Sequence, residues 1–144
     1  MKKYKIGYTT GVFDLFHVGH LNILEKSKEQ CEKLIVAVCT DEYTQETKHI
    51  TPVIPYENRA KIIAALKCVD EVVPMTFTDK KKAWELYHFD ALFSGDDWKG
   101  TPRYNETEKQ MAEIGVDVVY IPYTQGVSST QIKQELAARG QEIK

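Results

Sequence analysis

Long apolar runs are missing from this chain. No stretch approaches the ~20 residues that a membrane-spanning helix needs, and no basic-then-apolar leader stands before Lys5. A basic surplus is missing too: 19 Lys and Arg face 21 Asp and Glu, for a net charge of −2 and a pI near 6.1. That balance leaves no broad positive surface to follow a nucleic-acid backbone, although a local basic pocket for a small anion remains open. Cysteine is scarce. Cys31, Cys39 and Cys68 are odd in number, lack CxxC spacing and sit largely in apolar stretches, so they read as small buried hydrophobes in a reducing compartment rather than as a disulfide framework. Together these absences predict a cytoplasmic protein with neither membrane nor nucleic acid as partner.

What remains is enough for one ordinary domain, expected over residues 1–144. The 144 residues are 42% hydrophobic and 28% charged, a globular balance able to bury a core without staples. Strand-like and helix-like patterns alternate along the chain. Strands are expected at 5–10, 33–39, 69–74, 90–94 and 116–121, and helices at 19–30, 56–66, 80–88, 104–114 and 128–139. The run Leu34-Ile-Val-Ala-Val-Cys39 suits a parallel strand covered on both faces. Strict alternation with short connections predicts an α/β, Rossmann-like single domain: a mostly parallel five-stranded sheet with helices on both faces. Ligands in such sheets bind beyond the carboxyl ends of the strands. The loops after Thr10, Ser94 and Ile121 are therefore the candidate site.

The first loop is Gly11-Val12-Phe13-Asp14-Leu15-Phe16-His17-Val18-Gly19-His20. A glycine closes the strand, and a helix then begins near the histidines with its free amide hydrogens and positive dipole end available to an anion. His17 and His20, three apart, share one helical face. Asp14 would cap the turn or orient an imidazole. Packed or surface histidines are the bland alternative, and zinc is a further one, but no third ligand or HExxH pattern accompanies the pair. No protein-held metal site is expected.

The third loop, with Gly126, Ser128, Ser129 and Thr130, offers small residues, amides and hydroxyls before a helix, suited to phosphate oxygens or to simple N-capping by Ser128. The second, Gly95-Asp96-Asp97-Trp98, sets carboxylates beside an indole that can wall a base or ribose.

HVGH at 17–20 resembles the HxGH motif of the nucleotidyltransferase superfamily. The segment Tyr123-Thr-Gln-Gly-Val-Ser-Ser-Thr130 looks like the RTxGxST signature of the cytidylyltransferases, and GDDW at 95–98 is similar to that of the bacterial glycerol-3-phosphate cytidylyltransferase family. The resemblance is collinear over nearly the whole chain. It implies transfer of CMP from CTP to a small polyol phosphate, glycerol 3-phosphate first among them, with Mg²⁺ accompanying the triphosphate. It also implies a homodimer and a role in cell-wall or capsule synthesis. On this resemblance the nucleotide contacts fall on Val12, Phe13, His17 and His20 and on Tyr123, Thr124, Gly126, Val127, Ser128, Ser129 and Thr130, and the chemistry of the loops adds Gly11, Asp14, Gly95, Asp96, Asp97 and Trp98. His17, His20 and Lys48 are the expected catalytic groups, Lys48 from a mobile loop, while Lys48, Arg59 and Lys81 are expected on the acceptor side. Two positions depart from the pattern: Tyr123 replaces the family arginine, and Ile50, beside His49, replaces a second loop lysine. An adenylyltransferase acting on a phosphorylated coenzyme precursor and a non-catalytic nucleotide-binding module are the alternatives.

Overall fold

Strand β2 (Cys31–Cys39) shows how the sequence builds the layers. Ile35, Ala37 and Cys39 pack with Tyr43, Ala83, Phe89 and Met111 on one side, while Leu34, Val36 and Val38 pack with Leu24, Ile63 and Phe93 on the other. Successive side chains of a strand alternate faces, and here both faces meet helices, so the apolar run has no polar alternation. The computed structural model describes residues 2–122 and 128–143.

Around β2 lie β1 (Tyr4–Gly11), β3 (Glu71–Met75), β4 (Ala91–Gly95) and β5 (Asp117–Ile121), in the order β3-β2-β1-β4-β5 with every neighbouring pair parallel. The helices are α1 (Val18–Glu29), α2 (Asp41–Lys48), α3 (Tyr56–Ala64), α4 (Lys80–Tyr87), α5 (Pro102–Glu113) and α6 (Ser129–Ile143), with a short 3₁₀ turn at Asp96–Trp98. The fold is the expected Rossmann-like α/β one. The chain leaves β1 toward β2 and later returns to place β4 on the other side of β1. This reversal opens a crevice at the carboxyl ends of β1 and β4, where Thr10-Gly11 and Ser94-Gly95 stand.

Several bounds shift by a residue or two, and three helices differ from expectation in informative ways. Helix α2 lies where no helix was expected, because its polar sequence DEYTQETK buries only Tyr43 and Thr44 and shows no apolar stripe. Its ends carry the signal instead: the Thr40 hydroxyl caps Tyr43 N at 3.1 Å, Asp41 and Glu42 fill the first turn, and His49 closes it at φ 57°. Helix α5 starts two residues early, with Thr101 as N-cap and Pro102 in its first turn. Helix α6 runs through Gly140 to Ile143.

Candidate active site

The loop between β1 and α1 is held in a conformation that few residues adopt freely. Phe13 and Leu15 both have left-handed backbones, at φ 56° and 50°, a costly state for large side chains that surrounding contacts must over-determine. Phe13 is buried with its ring over Gly11, where a Cβ would meet it at 2.9 Å. Gly11 is therefore required by the loop's own packing. Between the strained pair sits Asp14, 5% exposed. Its carboxylate accepts from Leu15 N (3.1 Å), Val53 N (2.8 Å) and Ile54 N (2.9 Å), and Lys133 Nζ lies 3.5 Å away. Burial alone would raise its pKa, but the two distant amides and the Lys133 ammonium outweigh it and hold the carboxyl below its ordinary range. The hydrogen bonds of the Asp14 carboxylate go to backbone amides rather than to an imidazole, although its charge opposes part of the downward pKa shift of His20. Asp14 fastens the 53–54 segment and α6 to the loop, and Ser129 Oγ completes the tie by donating to the Asp14 carbonyl at 2.6 Å.

The histidines form the start of α1 themselves. His17 Nδ1 accepts from Gly19 N at 3.0 Å as the N-cap, and His20 Nδ1 accepts from His17 N at 3.2 Å, a reciprocal capping box. With both Nδ1 atoms occupied as acceptors, the neutral imidazoles carry their protons on Nε2. The rings stack at 3.9 Å between centroids, and Phe13 and Phe16 pack on His20. Burial, followed by the neighbouring His17, pushes the His20 pKa down to about 4, and burial lowers that of His17. At neutral pH the site thus presents two uncharged N–H donors at the positive end of a helix.

A cleft of about 310 Å³ opens here, lined by Gly11, Val12, Phe13, Asp14, His20 and Lys48 from one side. Gly95, Asp97 and Trp98 line it from the end of β4, and Ser129 and Thr130 from the start of α6, with Lys133 one turn on. The three strand ends singled out from sequence therefore converge. His17 is stacked on His20 but is not itself among the residues that line the cleft. Asp96 is exposed on the 3₁₀ turn and does not line the cleft. Ser128 takes the capping role, its hydroxyl accepting from Gln131 N at 3.0 Å. Tyr123, Thr124, Gly126 and Val127 lie outside the described residues.

A second, smaller cavity of about 160 Å³ adjoins the cleft, sharing Thr10, Gly11, Lys48, Ser94 and Trp98 with it. Of the lysines expected on the acceptor side, its wall includes Lys48 and not Lys81. Lys81 is exposed on α4 and absent from the lining, whereas Lys80 is 6% exposed and lines the cavity. Helical phase decides this: Asp79 caps the backbone of Lys81 and Lys82, and Lys80 shares a face with inward-packed Ala83 and Tyr87. Burial, then the Arg103 charge, draws the Lys80 pKa down to about 8. Arg103, in the first turn of α5, also lines the cavity. Neither Lys80 nor Arg103 was expected. Lys48 sits where the two cavities meet, and as the last residue of α2 it is helical rather than in a loop.

Arg59 is placed differently from expectation. It is 1% exposed and donates to Ile54 O (2.7 Å), Val12 O (2.7 Å), Cys39 O (2.8 Å) and Asp41 Oδ1 (2.5 Å). Its guanidinium joins the ends of β1 and β2 to α2 and lines neither cavity. The cysteines are free, Cys31 and Cys39 buried and Cys68 half-buried. Among the described residues no helix is long and apolar enough to cross a membrane, and no three His, Cys, Asp or Glu gather as a metal site.

A helix start built from HxGH, facing a cleft at the switch point of a 3-2-1-4-5 sheet, defines a nucleotidyltransferase. The chain belongs to the cytidylyltransferase-like family, whose model matches residues 8–135. It is 38% identical to the glycerol-3-phosphate cytidylyltransferase of Bacillus subtilis over 130 residues, covering 90% of this chain and 95% of that protein. It is 35% identical to the Staphylococcus aureus enzyme of the same name over 129 residues, covering 89% and 92% of the two chains. The crystal structure of a lipopolysaccharide core biosynthesis protein from Thermoplasma volcanium aligns with TM-score 0.69 at 26% identity, over 84% of this chain and 97% of that one.

Proposed function

We propose that this enzyme transfers CMP from CTP to glycerol 3-phosphate in the cytoplasm, forming CDP-glycerol and pyrophosphate. The observation that carries the acceptor class is the wall of the smaller cavity. It combines hydroxyls of Thr10, Tyr43, Thr47, Thr78, Ser94 and Tyr104 with Lys48, Lys80 and Arg103, and includes no carboxylate. Hydroxyls suit a polyol and the cations suit a phosphate. An amino-alcohol phosphate such as phosphocholine would set its own cation in a small space that already holds Lys48, Lys80 and Arg103 and no carboxylate, a repulsion that the rings of Tyr43, Trp98 and Tyr104 would have to offset.

In the reaction a phosphate oxygen of the acceptor attacks the α-phosphorus of CTP. The new P–O bond forms as the bond from the α-phosphorus to the α,β-bridging oxygen breaks, and its electron pair leaves with pyrophosphate. The nucleophile is already an anion, so no general base is needed and the task is in-line placement with charge stabilisation. The Nε2–H donors of His17 and His20 serve the α- and β-phosphoryl oxygens. Lys48 serves the same charge from the junction of the cavities, and Ser129 and Thr130 at the start of α6 hold the outer phosphates. Mg²⁺ would be carried in on the triphosphate, and the carboxylate of Asp97 in the cleft wall suits such an ion. Such an ion supplies further neutralisation of the polyphosphate. A homodimer, to be read by light scattering, belongs to the same proposal.

Pyrophosphate release with CTP is expected for glycerol 3-phosphate and not for phosphocholine. CTP with Mg²⁺ at 100 times its Kd should stabilise the protein by about 2.7 kcal/mol. Greater stabilisation by ATP would overturn the choice of base, and turnover of phosphocholine the choice of acceptor.

The Lys80 pKa of about 8 adds a pH test. The ammonium is needed to hold the acceptor, so kcat/KM for glycerol 3-phosphate should fall as the free enzyme is taken above about pH 8. In Lys80→Arg the charge persists at all accessible pH, and that alkaline limb should vanish. A limb unchanged in Lys80→Arg would remove Lys80 from the acceptor site.

A further inference from the structure

We propose that Arg103 is a specificity-determining residue of this enzyme, clamping the acceptor's phosphate together with Lys80 so that the site fits a phosphate dianion on an uncharged carbon chain. The inference rests on the polyol-phosphate reading above and assigns the part of that cavity which recognises the acceptor's charge.

Lys80 supplies the first observation. Its side chain is almost wholly withdrawn from water, no carboxylate pairs with its ammonium among the described residues, and the cavity is the accessible space it lines. Burying an unpaired charge is costly, and such a charge opening onto a cavity is matched by an anion that arrives with the ligand. Arg103 is the second observation. It likewise has no carboxylate partner among the described residues, and it reaches the cavity from α5, which packs beside α4. Two cations facing one small space repel each other when it is empty, which is why Arg103 follows burial as a cause of the lowered Lys80 pKa. Bringing them together has a recompense only when negative charge lies between them.

Trp98 supplies the third. The Arg103 guanidinium lies over its ring, 5.6 Å from the centroid. This cation–ring contact holds the guanidinium near the cavity, where its planar fork suits two parallel bonds to phosphate oxygens. Trp98 also lines the nucleotide cleft, so the same indole sets the clamp beside the α-phosphate. The charge count agrees: Lys80 and Arg103 match the two negative charges of a phosphate monoester, and Lys48 remains for the α-phosphoryl group.

The test compares wild type with Arg103→Gln and Arg103→Lys, each first shown to keep the wild-type melting temperature, as a solvent-exposed position should allow. With CTP saturating, Arg103→Gln should raise KM for glycerol 3-phosphate on the order of 10–100-fold, the worth of charge-assisted hydrogen bonds. KM for CTP should stay within about two-fold on the same ground, because no bond to the nucleotide is lost. Arg103→Lys, which keeps the charge without the fork, should fall between the two. An equal rise in both KM values, or none in either, overturns the proposal. Titration of inorganic phosphate into the free enzymes, followed by calorimetry, separates this inference from the reading beneath it. If wild type fails to turn over glycerol 3-phosphate, the polyol reading falls, and loss of phosphate binding in Arg103→Gln still upholds the clamp. Phosphate binding that is equal in wild type and Arg103→Gln, or absent from both, overturns it.

Discussion

Replacing His20 with alanine should lower kcat on the order of 10²–10³-fold while changing KM for CTP little, the effect of losing one preorganised donor to developing charge. The expectation follows from how the imidazole is held. Its Nδ1 accepts from the His17 amide, and its ring is packed by Phe13, Phe16 and His17, so Nε2–H is aimed without motion at the moment of reaction. His17 needs a subtler variant, because it is also the N-cap of α1. His17→Ala removes both roles and should cost about 0.5–2 kcal/mol of stability besides activity. His17→Asn keeps a side-chain acceptor for Gly19 N and loses only the Nε2–H. Its melting temperature should stay near wild type while kcat falls as in His20→Ala. Steady-state kinetics with CTP and glycerol 3-phosphate, alongside thermal melts, separates the two roles. Wild-type turnover in both His20→Ala and His17→Asn would remove the imidazoles from the chemistry.

These groups were legible in the sequence because their chemistry and their local structure coincide. Two histidines three apart after a glycine-closed strand can only lie together at a helix start, and parallel-sheet topology then brings that start to the other strand ends. Lys80 was not legible in the same way. Three consecutive lysines, Lys80 to Lys82, look alike until the Asp79 cap sets the phase of α4 and turns one of them inward. Arg103 was hidden for a different reason: it is exposed, and its place beside the cavity shows only in the folded contact of its guanidinium with the Trp98 ring. Helix α2 was missed because eight polar residues bury too little to leave a periodic stripe, although Thr40 and the acidic first turn mark its start. Local capping would have revealed it. The role of Arg59 depends on which carbonyls surround it, a tertiary matter that residue spacing does not encode.

That surrounding sets the largest expected loss of stability. Arg59→Met, similar in length and able to fill the same channel, should destabilise the protein by about 2–4 kcal/mol, chiefly from backbone carbonyls left without a donor, because Asp41, 35% exposed, can regain water. For a chain of this size the melting temperature should then fall by about 10 °C. The loss arises from what remains. The carbonyls of Val12, Cys39 and Ile54 each lose a donor, and Asp41 loses its countercharge while still accepting from Tyr56 N at 3.3 Å. Arg59→Lys should recover less than half, since one ammonium cannot reach four acceptors set around a planar fork. The same carbonyls fix the end of β1 and the segment that Asp14 grips, and Asp41 opens the helix that carries Lys48. Loosening them should therefore raise KM for CTP and for the acceptor together, unlike Arg103→Gln, which should touch the acceptor alone. Chemical denaturation of the three proteins checks the first expectation and initial rates check the second. If Arg59→Met retains stability within about 1 kcal/mol of wild type, the size of a typical surface effect, then Arg59 does not hold the strand ends in the way its four hydrogen bonds imply.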